Sequence, residues 1–179
     1  MRKLLLIVLD LCRLRRGPQD LPYAPTLLAL LVVLGIGLDL GVGALSGEGG
    51  MAAGAVPRVL VGTAFSLLLL YGLLRVRHFH NRFVQTALAL LLTGIVFTLV
   101  LMPILLLSGP PPASATGMSP LQVLTGWAML GLVVWKLAVD AHILRHALEL
   151  PFPAAFLLAF LWAVADYLVG RSLSGGGGT

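Results

Sequence analysis

Long apolar stretches, separated by short polar or proline-rich connections, make up almost all of this sequence. Five of them lie at roughly 25–45, 57–74, 83–107, 121–140 and 152–170. A membrane-spanning helix needs about 20 mostly apolar residues to cover a hydrocarbon core of ~30 Å. The stretch from Phe83 to Leu107 contains no charged residue. The pattern predicts an all-α membrane protein, with a five-transmembrane-helix bundle over residues 21–171.

Residues 1–20 form a separate segment that is too short and too charged to span a membrane. As a helix, it gathers polar residues on one side and apolar residues on the other: Arg2, Lys3, Asp10, Arg13 and Arg16 against Leu4, Ile7, Val8, Leu11 and Leu14. Such a basic amphipathic helix typically lies in the headgroup plane, and Gly17 and Pro18 are expected to end it. At the other end of the chain, residues 172–179 are expected to form a flexible tail.

The start of the chain also resembles a cleavable signal sequence. However, Asp10 interrupts its apolar run, and Leu11 rather than a small residue precedes Cys12. The N-terminus is therefore expected to be retained. Because Cys12 is the only cysteine, neither an intrachain disulfide nor a thiolate cluster is expected.

Composition agrees with the membrane assignment. Hydrophobic residues make up 59% of the chain, charged residues only 11%, and the mean hydropathy is +1.01. The pI of 10.2 is in the range of nucleic-acid-binding proteins. The basic residues stand at the ends of apolar stretches, however, where they act as topology signals and contact lipid headgroups. No nucleic-acid partner is predicted; the predicted partner is a bilayer with anionic headgroups.

The distribution of Lys and Arg predicts the orientation. Five precede the first stretch, three lie in the second connection, and Lys136 and Arg145 lie near the fourth, so ten of twelve fall on one side. Only Arg58 and Arg171 fall on the other side. Loops rich in Lys and Arg stay in the cytoplasm. The count predicts a multi-pass protein of the bacterial inner membrane with a cytoplasmic N-terminus and a periplasmic C-terminus.

Four ionisable residues fall inside the apolar stretches, where charge is costly and therefore often functional: Asp39, Asp166, Lys136 and Asp140. Lys136 and Asp140 have the i,i+4 spacing of a helical ion pair. Asp39 and Asp166 are each expected about six residues before the outer end of their helices. They are expected to be structural hydrogen-bonded or paired carboxylates, with Arg58 a possible partner of Asp39; a proton or ion relay is the alternative.

A second candidate site is a basic interaction surface on the cytoplasmic side. It consists of Arg13, Arg15, Arg16, Arg75, Arg77, Arg82, His142, Arg145 and His146. The i,i+4 spacing of His142 and His146 could bind zinc, but Ile143 stands where a zincin has its catalytic glutamate. No metal, cofactor or catalytic residue is therefore predicted, and the histidines are expected to form a pH-sensitive surface beside anionic lipids.

Glycines suggest a helix contact in the first span. Gly37 and Gly41 form a GxxxG pair, which lets helices approach closely in lipid. The pair is expected to serve packing within the bundle or a homo-oligomer, and Asp39, which lies between the two glycines, is expected to come within reach of a neighbouring backbone.

Three stretches together resemble a known group of proteins: DLCRLRRGPQDLPYAP at 10–25, RFVQTALALLLTG at 82–94 and WKLAVDAHILRHALELP at 135–151. They are similar to small inner-membrane proteins of proteobacteria that look like the Yip1 superfamily. The resemblance implies five spans and a cytoplasmic N-terminus, and it implies no catalytic residues. The long N-terminal region of the eukaryotic members, which act in vesicle trafficking and membrane shaping, is absent.

The sequence thus predicts a non-enzymatic integral membrane protein that acts through protein or lipid interactions at its basic cytoplasmic face. The alternative is a small transporter or channel component that uses Asp39 or Asp166. An intramembrane enzyme ranks third.

Overall fold

The computed structural model describes residues 2–45, 54–109 and 119–174, and this part of the chain is helical apart from short connections. The helices are α1 (Arg2–Cys12), α2 (Pro25–Leu45), α3 (Ala55–Val76), α4 (Phe83–Ser108), α5 (Pro120–Leu148) and α6 (Phe152–Ser174), with single 3-10 turns at Pro18–Asp20 and His80–Arg82. Five of them, α2 to α6, are long and apolar enough to cross a membrane. The predicted all-α class and the five spans are confirmed.

Two predicted segments need comment. Helix α6 continues to Ser174, so residues 172–174 of the predicted flexible tail are helical; residues 175–179 lie outside the described part of the chain. Helix α5 is the longest because its helical pattern continues beyond the apolar part, which was predicted to end at about residue 140.

The five long helices contact one another in the order α2, α4, α5, α6, α3 and back to α2. They therefore form a closed ring. Residues 21, 77–85 and 146–149, which are joined by hydrogen bonds, meet at one end of this ring. That end also contains Arg13, Arg15, Arg75 and Arg145, and we call it the basic end.

The tightly packed core lies in the half of the ring next to the basic end. Its members are small or medium-sized side chains from α3 to α6: Leu70, Leu74, Ala87, Ala141, Leu144, Ala147, Leu148, Ala155 and Ala159. Small residues let helices approach closely in lipid, where dispersion contacts rather than water exclusion hold them together. The alanines of α5 and α6 therefore draw these two helices together at the basic end.

Helix α1 is shorter than predicted. It ends at Cys12 rather than at Gly17, because Leu14 takes a left-handed conformation (φ 60°). The Leu14 N–H donates to the Leu11 carbonyl and the Arg15 N–H donates to the Asp10 carbonyl, both at 2.9 Å. This is a Schellman ending, which usually requires glycine at the left-handed position.

The N-terminal segment, residues 5–21, packs against α4 and α5. Val8, Leu11, Cys12 and Leu21 are buried with residues of those helices. Three side chains of the bundle also bind its carbonyl groups: Trp135 at Cys12 (3.0 Å), His142 at Arg16 (3.1 Å) and Gln85 at Leu21 (2.8 Å). Leu5, Leu6 and Leu9 are exposed on the other side of α1. Ile7, Val8 and Leu11 of the predicted apolar face thus pack against the bundle, whereas the exposed Leu5, Leu6 and Leu9 were not assigned to that face.

This docking predicts an unreactive Cys12. Burial raises the pKa of its thiol, with Lys136 opposing the effect in part, and the thiolate is the reactive form. N-ethylmaleimide should therefore modify the native protein slowly. Leu11→Ala, which removes a side chain with 0% exposure, should loosen the segment by about 2–4 kcal/mol and speed labelling at least tenfold. Leu5→Ala, at a side chain 66% exposed, is the control, and equal labelling of the two variants would contradict the docking.

Candidate functional site

A cavity of about 1190 Å³ lies between the five long helices, and each of them contributes to its wall. The four intramembrane charged residues predicted from the sequence all line it: Asp39 from α2, Lys136 and Asp140 from α5, and Asp166 from α6. Two further cations, Arg58 of α3 and Arg171 of α6, line it as well. The ring therefore brings together charges that are up to 132 positions apart in the sequence.

The cavity is closed at the basic end and extends toward the opposite end. Leu70, Ala87, Leu144 and Ala159 belong both to the packed core and to the cavity wall, so the core forms its floor. Arg58 is three residues from the first residue of α3 and Arg171 three from the last residue of α6. These cations therefore lie at the far end of the cavity, which we call its mouth.

Asp166 accepts hydrogen bonds at the middle of the bundle. The Ser66 hydroxyl lies 2.9 Å from one carboxylate oxygen and 3.0 Å from the other, and the Trp162 indole N–H donates to the Ser66 oxygen at 3.3 Å. Ser66 is eleven residues after the start of α3 and ten before its end. Asp166 is therefore near the middle of the span, deeper than the sequence predicted, partly because α6 continues for eight residues beyond it.

Lys136 and Asp140 form the predicted i,i+4 ion pair on α5, between the Lys136 ammonium and Asp140 Oδ2. The other carboxylate oxygen, Asp140 Oδ1, is buried and has no hydrogen-bond partner among the described residues. A buried acceptor without a donor costs about 1–3 kcal/mol. The pair lies one turn above the cavity floor, since Leu144 follows Asp140 by four residues.

Asp39 points into the cavity rather than toward the glycines. Gly35, four residues earlier, shares its wall. A Cβ atom added at Gly37 or Gly41 would meet open space, so within the described residues this GxxxG pair makes no close helix contact. The predicted Asp39–Arg58 pair is not among the ion pairs of the described residues, although both residues line the cavity. A homo-oligomer through the glycines stays a prediction.

Part of the predicted basic surface is used within the bundle. Arg77 donates to the Leu148 carbonyl at 3.2 Å, and Arg82 contacts the His146 and Ala147 carbonyls at 3.4 and 3.5 Å. Arg82 also pairs with Glu149 at 2.8 Å. The last carbonyls of a helix lack intrahelical donors and have partial negative charge. These arginines therefore cap α5 and bind it to the α3–α4 connection.

The histidines are also partly internal. His142 is only 9% exposed, and its ring contacts the Arg16 carbonyl, so it is not on an accessible surface. The His146 ring bonds the His142 carbonyl at 2.8 Å. No group of metal ligands occurs in the described residues. Of the predicted basic surface, Arg13, Arg15, Arg16, Arg75, Arg77 and Arg145 are exposed, with Arg16 paired to Asp10 at 3.0 Å.

Sequence reasoning missed Ser66 and Trp162. Ser66 lies near the centre of an apolar stretch that also contains Thr63, and Trp162 lies one turn before Asp166. Both signals were visible, but neither identifies its partner, because Ser66 and Asp166 are 100 residues apart.

No family model, no curated protein and no solved structure matches this chain.

Proposed function

We propose that this protein is a small transporter or channel component that admits a polar solute or ion to its central cavity. The observation that supports this most is the convergence of the intramembrane charges on one cavity lined by all five long helices. Substrate and ion sites of transporters lie near the bilayer midplane, where Asp166 meets Ser66. An ionisable side chain within the membrane costs free energy. A purely structural role would not require these side chains to line one common cavity.

In this proposal the mouth faces the periplasm of a bacterial inner membrane and the basic end faces the cytoplasm. Support comes from the arginines exposed at the basic end, because loops rich in Lys and Arg remain cytoplasmic. The resemblance to the Yip1 superfamily implies the same orientation. A reporter that is active only outside the cytoplasm should work when fused after Thr179. Activity of a cytoplasmic reporter at that position would contradict the orientation.

Reconstitution into liposomes tests the transport function. Uptake of methylammonium, glycine and phosphate should be measured with protein-containing and empty vesicles of equal size. At least one solute should enter the protein-containing vesicles faster. Equal uptake of all three by both kinds of vesicle would count against the proposal.

A second candidate function is binding of lipids or partner proteins at the basic end, without catalysis. It is favoured by Arg13 and Arg15, which are exposed beside the exposed leucines Leu6 and Leu9 of α1. Each Lys or Arg near an anionic surface contributes about 1 kcal/mol. Replacement of both arginines by Gln should therefore shift the salt dependence of binding to anionic vesicles, without altering solute uptake.

A further inference from the structure

The inner part of the cavity has an unmet requirement for hydrogen-bond donors. Asp140 Oδ1 is buried without a partner among the described residues. Asp166 has two neutral donors beside it, the Ser66 hydroxyl and the Trp162 indole N–H, although a carboxylate has about four acceptor sites. Both carboxylates line the same cavity.

The charges there are also unequal. Between the floor and the middle of the bundle the wall has two carboxylates, Asp140 and Asp166, and one cation, Lys136. Lys136 is bound to Asp140 and attracts Asp166 only from a distance, while the hydrogen-bond donors to Asp166 are neutral. Arg171 lies about one and a half turns beyond Asp166 on α6, and Arg58 about two turns beyond Ser66 on α3, both toward the mouth. One added positive charge would balance this region.

We propose that the inner part of the cavity binds the ammonium group of a primary amine, between Asp140 and Asp166. This inference rests on the transport function proposed above and specifies its substrate class. An ammonium group has three N–H donors, which suits the free acceptors of the two carboxylates. Trp162 and Tyr167 also line the cavity, one turn before Asp166 and directly after it, and aromatic faces attract cations.

A metal cation fits these residues less well. Calcium takes six to eight oxygen ligands and magnesium demands an octahedron. The described residues contain no group of three metal-ligating side chains, and the cavity floor is made of Leu and Ala. An ammonium group with an alkyl chain suits a wall that is mainly apolar with a few convergent acceptors.

The test is a binding measurement on the full-length protein in detergent. Butylammonium chloride should raise the thermal unfolding midpoint in a saturable manner, whereas 1-butanol and sodium chloride at equal concentrations should not. Asp166→Asn should weaken the apparent affinity about tenfold or more, because a hydrogen bond to a charged group contributes about 1.5–3 kcal/mol. The variant should fold, since the Asn oxygen can still accept from Ser66. Asp10→Asn, which removes a carboxylate outside the cavity, is the matched control and should bind as wild type.

Two results would overturn the inference: butanol acting as well as butylammonium, or Asp166→Asn binding butylammonium with wild-type affinity. Trp162→Phe, which keeps an aromatic face, should weaken binding less than Asp166→Asn does. Because this experiment measures binding without a membrane, its outcome is separable from vesicle uptake. Binding without uptake would retain the amine site and reject the transport function. Uptake of phosphate without amine binding would retain the transport function and reject the amine site.

Discussion

Asp166→Asn should reduce solute uptake into protein-containing liposomes at least tenfold while leaving the protein folded. The substitution removes the charge near the middle of the bundle but preserves the shape of the side chain and an acceptor for the Ser66 hydroxyl at 2.9 Å. Loss of one hydrogen bond to a charged group costs about 1.5–3 kcal/mol of binding free energy, which corresponds to a roughly tenfold to hundredfold weaker affinity for the solute. Uptake of the solute that wild-type vesicles accumulate fastest is the measurement.

Asp166→Leu separates the chemical role from a structural one. It leaves the Ser66 hydroxyl without its acceptor and should lower the free energy of unfolding by about 1–2 kcal/mol, in addition to abolishing uptake. Asp10→Asn is again the control. Wild-type uptake by Asp166→Asn, combined with a lower stability for Asp166→Leu, would make Asp166 purely structural and would reject its role in the cavity.

Removal of either partner of the Lys136–Asp140 pair should have the largest effect on stability. Each single change strands a charge in a region with little water, and removal of one partner of a buried pair costs about 3–5 kcal/mol. The side chains of Lys136 and Asp140 are 33% and 19% exposed, which reduces this cost. We therefore expect the free energy of unfolding to fall by about 2–3 kcal/mol for Lys136→Met and for Asp140→Leu.

The double variant Lys136→Met/Asp140→Leu should recover much of that loss, because no charge is stranded. Unfolding in detergent of the wild type, both single variants and the double variant forms a complete cycle, with an expected coupling of at least ~1 kcal/mol. Additive losses would show that the two side chains contribute independently and would contradict the ion pair as a unit.

The five long helices were predictable because the thickness of the bilayer sets the length of apolar sequence that a span needs. That length can be read from consecutive residues, without knowledge of the rest of the fold. The Lys136–Asp140 pair was predictable for a similar reason, since both partners lie on one helix at i,i+4. The core at the basic end was less accessible to prediction. An alanine such as Ala87 or Ala159 is equally apolar whether it faces lipid or another helix, so the sequence does not show which of the two it contacts.

The convergence of charges on one cavity depends on how each helix is rotated about its axis, and all-round hydrophobic helices give no periodic signal for that rotation. Asp39 illustrates the difficulty: residues two apart lie on different sides of a helix, so Asp39 faces away from Gly37 and Gly41, but the sequence does not show which of these sides faces the cavity. Arg77 and Arg82 were recognised only as positive charges, because the carbonyls that they cap belong to a helix more than 60 residues later.

The central claim is that a water-accessible cavity lined by charged residues lies between the helices, and the accessibility of two nearby positions on α3 tests it most directly. Thr63 lines the cavity, whereas Val61, two residues earlier, is 43% exposed and does not line it. Single cysteines would be introduced at each position in a Cys12→Ala background and treated with a charged, membrane-impermeant methanethiosulfonate reagent, which reacts only where water reaches. The structure predicts that Thr63→Cys is modified at least about tenfold faster than Val61→Cys, since only the thiolate in contact with water reacts. Equal rates, or faster modification of Val61→Cys, would contradict the cavity.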